Sequence, residues 1–154
     1  MITLKDVLAQ EKKTELSHFN LKDVDGLVDS LKKIGKDDFN KVCILIKINQ
    51  RIVYFHAGDQ TTNENNLWIK KKENVVDAFD HSSLFKKIAY QDNPESFYKE
   101  SGLSPKDYAI VGGGYPIAIE NTGVIGSLIV SGLTDTGDHE LAYNALLDFK
   151  SSIN

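Results

Sequence analysis

Residues 115–130, YPIAIENTGVIGSLIV, decide the fold of this 154-residue chain. Apolar and β-branched residues dominate 115–119 and 124–130, which predicts two β-strands. Between them, residues 120–123 read ENTG, a turn sequence in which Gly123 can take the positive φ that a tight hairpin needs. The stretch therefore predicts an antiparallel pair of strands.

Three more segments have strand character. Residues 42–48 and 52–57 are apolar runs separated by the tight turn at 49–50, and residues 108–111 precede the first hairpin strand. Apolar periodicity and capping residues predict helices at 3–16, 20–35, 64–81, 84–90, 94–103 and from about 138 to 150. Two strands, a helical crossover and three strands predict an α/β (α+β) fold with a five-stranded, mainly antiparallel sheet flanked by helices.

Composition limits the class of protein and its partners. A hydrophobic content of 41% can fill one core, so we expect residues 1–154 to form a single domain. The net charge of −4 gives no basic field for nucleic acid or an anionic membrane, and no run reaches the roughly 18 apolar residues of a membrane helix. The start of the chain does not resemble a signal peptide, and Cys43 has no partner for an internal disulfide; both favour the cytoplasm.

The helix predicted at 64–81 carries two lysines on its apolar side. At about 100° per residue, Trp68 shares a broad face with Val75 and Val76, and Lys71 and Lys72 project from the same arc. Two interpretations stand. The lysine side chains snorkel past the packing edge, or one ammonium meets a buried or interfacial anion, because an unpaired buried ammonium is costly.

Three consecutive glycines, Gly112, Gly113 and Gly114, stand immediately before the hairpin. A turn of this kind lets backbone N–H groups approach a ligand closely, but it also serves as a plain tight turn or bulge between strands. The spacing is not that of a dinucleotide-binding motif, and no helix follows.

The four histidines lack the spacing of a helical zinc site, so we predict no metal centre of that kind. His56 ends a predicted strand. His139 follows Asp138 at the predicted start of the last helix, where the helix dipole disfavours the imidazolium form. A neutral imidazole there can ligate haem iron or form an ordinary hydrogen bond. Ser131, Asp138 and His139 are present as a set, but no nucleophile elbow accompanies them.

Two long segments resemble a known family. Residues 65–83, NNLWIKKKENVVDAFDHSS, are similar to a W-I-x-(R/K)-K-x-x-V-V…S-S signature, and residues 111–146 are similar to a G-G-x-(F/Y)-P-I…V-S-G-L…D-H ending. With FHAGDQTTNEN at 55–65, the match covers roughly residues 40–147. These elements resemble an uncharacterised branch of the HbpS/GlcG-like (haem-degrading domain) family. Lysines stand at 70 and 71 where that branch often has arginine, which weakens any case for bidentate anion recognition.

The resemblance implies a GlcG-like, profilin-like fold and homo-oligomers, and it leaves the reaction unassigned. Two classes of function stay open. One is a protein that binds or processes haem or another anionic small molecule, with His139 or His56 as axial ligand and Lys72 or Lys71 facing the propionates. The other is a non-catalytic oligomeric scaffold or protein-binding module, with Trp68, the glycine turn and residues 131–133 in subunit contacts. The combined candidate ligand-binding residues are Lys72, Lys71, Gly112, Gly113, Gly114, His139, His56 and Trp68.

Overall fold

The computed structural model describes residues 1–153, which contain six α-helices and four β-strands. Short 3-10 helices at Leu21–Asp23 and Lys36–Lys41 flank the second α-helix. In chain order the elements are α1 (Leu4–Lys13), α2 (Val24–Gly35), β1 (Cys43–Ile48), β2 (Arg51–Ala57), α3 (Asn63–Phe79), α4 (Ser83–Ala89), α5 (Pro94–Ser101), β3 (Gly114–Ile119), β4 (Gly123–Ser131) and α6 (Asp135–Ile153).

The strands form one antiparallel sheet in the order β2-β1-β4-β3. Two hairpins, β1–β2 and β3–β4, are joined where β1 pairs with β4, with Cys43 opposite Ser131 and Ile48 opposite Gly126. A Cβ at Gly126 would lie 2.0 Å from the Lys47 carbonyl oxygen, so only glycine allows the two central strands to approach this closely. The predicted hairpin at 115–130 and the antiparallel α+β architecture are confirmed.

The prediction of a fifth strand at 108–111 is wrong, because this segment meets α3 instead of a strand. The Ala109 N–H donates to the Lys71 carbonyl oxygen at 3.3 Å, and the Asn74 side-chain amide donates to the Asp107 carbonyl oxygen at 2.8 Å. The Tyr98 hydroxyl donates to the Tyr108 carbonyl oxygen at 2.8 Å. These bonds satisfy backbone groups that a strand would offer to its neighbour.

Helices cover both faces of the sheet. On one face, sheet residues such as Ile44 pack against α2 and α6 and form the largest core. This core includes Leu27 of α2. On the other face, Ile69 of α3 packs with Leu45. Beyond α3 lies an outer layer in which Phe97 of α5 packs with the segment that follows it. α3 therefore lies between the sheet and this outer layer.

Helix α6 begins at Asp135, earlier than the start predicted near Asp138. Thr134 precedes the helix, and its hydroxyl accepts a hydrogen bond from the Gly137 N–H at 3.0 Å. Asp138 is therefore not the N-cap residue. Its carboxylate instead accepts a hydrogen bond from the Leu133 N–H at 2.8 Å, which fixes the side chain against the end of β4.

The two edges of the sheet differ. The edge at β3 is covered by Leu16, whose N–H donates to the Ala118 carbonyl oxygen and whose carbonyl oxygen accepts from the Glu120 N–H, each at 2.9 Å. Within residues 1–153, nothing pairs with the outer edge of β2. Two apolar side chains of that strand, Ile52 and Phe55, are 58% and 42% exposed.

Candidate functional site

The structure brings Lys72 and Gly113 together. The side chain of Lys72 is 3% exposed, and a Cβ at Gly113 would lie 2.7 Å from its Nζ atom and 2.3 Å from the Val130 carbonyl oxygen. Gly113 also has φ of +127°, which L side chains rarely adopt. The glycine thus makes room for a buried ammonium group.

Lys72 is held by internal acceptors. Its Nζ donates to the Val130 carbonyl oxygen at 2.8 Å and to Asp138 Oδ2 at 3.1 Å, and Asp138 accepts a further bond from the Leu133 N–H. Burial lowers the pKa of Lys72 and raises the pKa of Asp138, while the contact between them opposes both shifts. The buried anion expected near Lys71 or Lys72 is therefore a carboxylate of the chain itself.

The neighbouring glycines also serve close packing. A Cβ at Gly112 would lie 2.2 Å from the Asp135 carbonyl oxygen, so the turn touches the start of α6. The Gly114 N–H donates to Ser83 Oγ at 2.8 Å. The turn therefore joins β3 to α4 and α6, and the Gly114 donor is already occupied.

Trp68 lies between two cavities and lines both of them. The first, called the polar cleft, has a volume of about 250 Å³. The second, called the apolar groove, has a volume of about 460 Å³. The polar cleft is lined by Glu64, Asn65, Trp68, Lys72, Val111, Ser131, Gly132, Leu133, Asp135 and Asp138. The apolar groove is lined by Trp68, Lys71, Lys87, Gln91, Pro94, Tyr98, Pro105, Tyr108, Ala109, Ile110 and Val111.

Two lysines line the apolar groove. The Lys71 Nζ lies 5.1 Å from the centre of the Trp68 ring, a cation–π contact, and Lys87 forms an ion pair with Asp135. Lys71 has no carboxylate partner within residues 1–153. The groove therefore combines an apolar lining with an uncompensated ammonium beside an aromatic ring.

His139 is fully buried and lines neither cavity. Its Nε2 lies 2.6 Å from Gln10 Oε1, its ring centre lies 5.4 Å from that of Tyr115, and its Nδ1 has no hydrogen-bond partner among the described residues. Burial lowers its pKa to about 4, so the ring is neutral at pH 7. The expected neutral imidazole is present, but the cause is burial, because His139 lies beyond the first turn of a helix that begins at Asp135.

His56 lies away from these residues. It pairs with Ile44, whose side chain belongs to the core with α2 and α6, so it projects from the face of the sheet opposite α3. Its Nε2 lies 2.7 Å from the Phe39 carbonyl oxygen, and its ring stacks on Phe39. Of the predicted site residues, Trp68, Lys71, Lys72 and the three glycines lie together, whereas His56 does not join them.

A Ser131–His139–Asp138 arrangement for hydrolysis is absent. The Asp138 carboxylate is bonded to Lys72 and to the backbone at Leu133, while the His139 ring is bonded to Gln10. No acid–base–nucleophile chain links the three side chains.

A second buried charge cluster was not predicted from the sequence. Lys47, 3% exposed near the end of β1, pairs with Glu73 at 2.9 Å and with Asp77, both on α3. Hydrogen bonds and charges from both carboxylates raise its pKa, although burial opposes this. A lysine within the apolar run CILIKI is the local signal for such a partner, because lysine is rarely buried unpaired. The cluster fastens α3 to the sheet.

We expect His139 to make stability depend on pH. The pKa of His139 is 6.5 in the unfolded chain and about 4 in the folded protein. Above pH 6.5 the ring is neutral in both states and does not reduce the free energy of unfolding. That free energy decreases as pH falls from 6.5 toward 4, because the unfolded chain binds the proton more tightly. The loss is roughly 3 kcal/mol in total and about 2 kcal/mol by about pH 5. Urea unfolding of the wild type and of His139→Gln between about pH 7 and pH 5 measures it. Parallel pH profiles for the two proteins would contradict the assignment.

Residues 1–153 lack two kinds of feature. No group of three or more histidine, cysteine, aspartate or glutamate side chains is arranged to hold a metal ion. No helix of this part of the chain is long and apolar enough to cross a membrane.

The four-stranded antiparallel sheet between helical layers defines an α+β domain whose cavities lie beside α3. Residues 19–147 match the family described as Haem degrading protein HbpS-like, and the chain belongs to that family. It is similar to a UPF0303 protein of Lactiplantibacillus plantarum, with 69% identity over 151 residues that cover 98% of this chain and 97% of the relative.

Solved structures share the fold. The Ybr137w protein superposes with a TM-score of 0.84 at 24% identity, covering 97% of this chain and 88% of its own. The PduOC:heme complex superposes with a TM-score of 0.65 at 18% identity, and the match covers 83% of this chain and 92% of the PduOC chain. At these identities the likeness establishes a common architecture.

Proposed function

We propose that the protein binds a planar, apolar small molecule that carries carboxylate groups, of which the tetrapyrroles are the leading example. The observation that carries the proposal is the apolar groove, where Trp68 and two tyrosines form walls and Lys71 supplies an uncompensated cation. An apolar cavity with a few polar groups is the usual form of a small-molecule site. Membership of the HbpS-like family and the haem bound by PduOC support a tetrapyrrole ligand.

The groove fits the body of a tetrapyrrole better than it fits haem iron. Its lining residues include no histidine, cysteine or methionine, the usual axial ligands. The Tyr98 hydroxyl already donates to a carbonyl oxygen, and burial raises its pKa, which disfavours the phenolate; an oxygen ligand would have to come from Tyr108. The buried His139 and the distant His56 do not line the groove. We therefore assign the groove to binding and derive no reaction at iron.

Titration with metal-free protoporphyrin IX tests this proposal. Trp68 is the only tryptophan of the chain and lines the groove, so quenching of its fluorescence reports binding, and a Lys71 variant tests whether the groove is the site. We expect quenching in the wild type, and an affinity about fivefold weaker in Lys71→Gln, because one partly exposed ion pair contributes up to about 1 kcal/mol.

The matched control for that experiment is Lys99→Gln, which removes an exposed lysine of α5 that does not line the groove. We expect this variant to bind as the wild type does. Absence of quenching in the wild type, or equal weakening in both variants, would contradict the proposal.

A specific observation favours a homo-oligomer as well. The outer edge of β2 is open within residues 1–153 and carries the exposed Ile52 and Phe55, whereas the opposite edge is covered by Leu16. An open apolar edge strand is a template for pairing with another strand. We infer that β2 contacts a second copy of the chain, and light scattering at micromolar concentration should give a mass above the 17.2 kDa of one chain.

We place the protein in the cytoplasm. Support comes from Cys43, a buried thiol without a disulfide partner, which is typical of proteins in a reducing compartment.

A further inference from the structure

The polar cleft differs in chemistry from the apolar groove on the other side of Trp68. Three carboxylates line it, those of Glu64, Asp135 and Asp138, against the single ammonium of Lys72. Lys72 and Asp138 bond to each other and are buried, so the remaining charge of the cleft lies at Glu64 and Asp135. The cleft is therefore suited to a cation.

The two outer carboxylates retain capacity for a ligand. Glu64 is exposed, and no ion pair or side-chain hydrogen bond engages its carboxylate within residues 1–153. Asp135 pairs with Lys87, which approaches from the apolar groove and does not line the cleft. Both carboxylates stand in the first turn of a helix, where acidic residues are favoured by the helix dipole. Their presence alone would not identify a binding site.

An independent observation comes from Ser131, which lines the cleft and is 4% exposed. Ser131 pairs with Cys43, whose thiol contacts Asn66 of α3, so its hydroxyl projects from the same face of the sheet toward α3 and the cleft. None of the described residues forms a hydrogen bond with this hydroxyl, whose oxygen remains open to the cleft. A largely buried side chain that leaves its hydroxyl open to a cavity can form a hydrogen bond with a ligand bound there.

Trp68 provides the remaining wall. Its ring is 38% exposed, and the contact with Lys71 at 5.1 Å demonstrates that a cation is accommodated beside it. Lys71 lines the groove but not the cleft, so it does not occupy the side of Trp68 that faces the cleft. An aromatic ring beside carboxylates is the common recognition unit for organic cations.

We propose that the polar cleft binds a small organic cation with a guanidinium or primary ammonium group, which stacks on Trp68, bonds to the Ser131 hydroxyl and faces the Glu64 carboxylate. The volume of about 250 Å³ suits a compact molecule. This site is distinct from the apolar groove and shares only Trp68 and Val111 with it.

Titration of the full-length protein with methylguanidinium, monitored by Trp68 fluorescence, tests the site. The neutral N-methylurea has nearly the same shape and serves as the control ligand at constant ionic strength. We expect a saturable change with methylguanidinium only. A Ser131→Ala variant should bind about tenfold more weakly, the effect of losing one hydrogen bond to a charged group.

Two matched variants separate binding from general damage. Ser127→Ala removes a buried hydroxyl of the same strand that lies outside the cleft, and should leave the affinity unchanged. Glu64→Gln should weaken methylguanidinium binding about fivefold, whereas Glu95→Gln, in the first turn of α5, should not. Equal responses to methylguanidinium and N-methylurea, or unaltered binding in both Ser131→Ala and Glu64→Gln, would overturn the proposal. Neither result would affect the porphyrin titration, which depends on Lys71.

Discussion

Replacing Lys72 with methionine should lower the free energy of unfolding by about 3–5 kcal/mol, because it leaves the buried Asp138 carboxylate without its counter-ion. Methionine retains most of the side-chain volume but cannot donate to Asp138 Oδ2 or to the Val130 carbonyl oxygen, which Lys72 bonds at 3.1 and 2.8 Å. Asp138 keeps its bond from the Leu133 N–H, so the carboxylate is only partly compensated. Urea unfolding measures the loss.

The matched control is Lys70→Met, two positions earlier on the same helix. Lys70 pairs with Glu73 at 3.2 Å, but its side chain is 71% exposed, and an exposed pair of this kind contributes at most about 1 kcal/mol. In the double variant Lys72→Met/Asp138→Asn, the total loss should be smaller than the sum of the two single losses, because the two side chains interact directly. Equal effects of Lys70→Met and Lys72→Met would show that the Lys72–Asp138 pair does not stabilise the fold.

A Gly113→Ala variant should lose at least about 3 kcal/mol of stability, as expected for a substitution that adds both steric overlap and backbone strain. The new Cβ would lie 2.3 Å from the Val130 carbonyl oxygen and 2.7 Å from Lys72 Nζ, with φ at +127°. The Val130 carbonyl group is part of β4, so it cannot move away without disrupting that strand. Thermal or urea unfolding provides the measurement.

Gly102→Ala separates strain from overlap. Gly102 also has a positive φ, +74°, but no atom lies within 4 Å of the added Cβ, so we expect a loss of about 1 kcal/mol from conformation alone. If both glycine variants lost the same amount, close packing around Gly113 would not be the reason for the glycine.

The parts of the fold that the sequence predicts are those determined locally. The hairpin at 115–130 is confirmed because its turn residues and its strands are adjacent in the chain. The helix predicted at 64–81 is confirmed at Asn63–Phe79, because its apolar periodicity acts within a few turns. The prediction of a strand at 108–111 is wrong because the Ala109 N–H donates to the carbonyl oxygen of Lys71. Lys71 is distant in sequence and gives no local signal.

The candidate site is likewise predictable only where local sequence determines it. The position of Lys72 on the apolar arc indicates that it is buried or interfacial, but its partner Asp138 lies 66 residues away and belongs to a helix whose start was misplaced. The glycine turn suggests ligand contact, whereas Gly113 accommodates the lysine itself. Only Trp68 and Lys71 of the apolar groove are predicted, because its other walls come from α4, α5 and the segment that follows α5, which carry no motif of their own.

Parallel titrations with haemin and metal-free protoporphyrin IX test most directly whether the apolar groove, and not a buried histidine, binds the ligand. Wild type, Lys71→Gln and His139→Gln would be compared by Trp68 fluorescence and by the Soret band. We predict that both porphyrins bind, that Lys71→Gln weakens both about fivefold, and that His139→Gln changes neither affinity nor Soret position. Binding of haemin alone, with its Soret band lost in His139→Gln and retained in Lys71→Gln, would contradict the account.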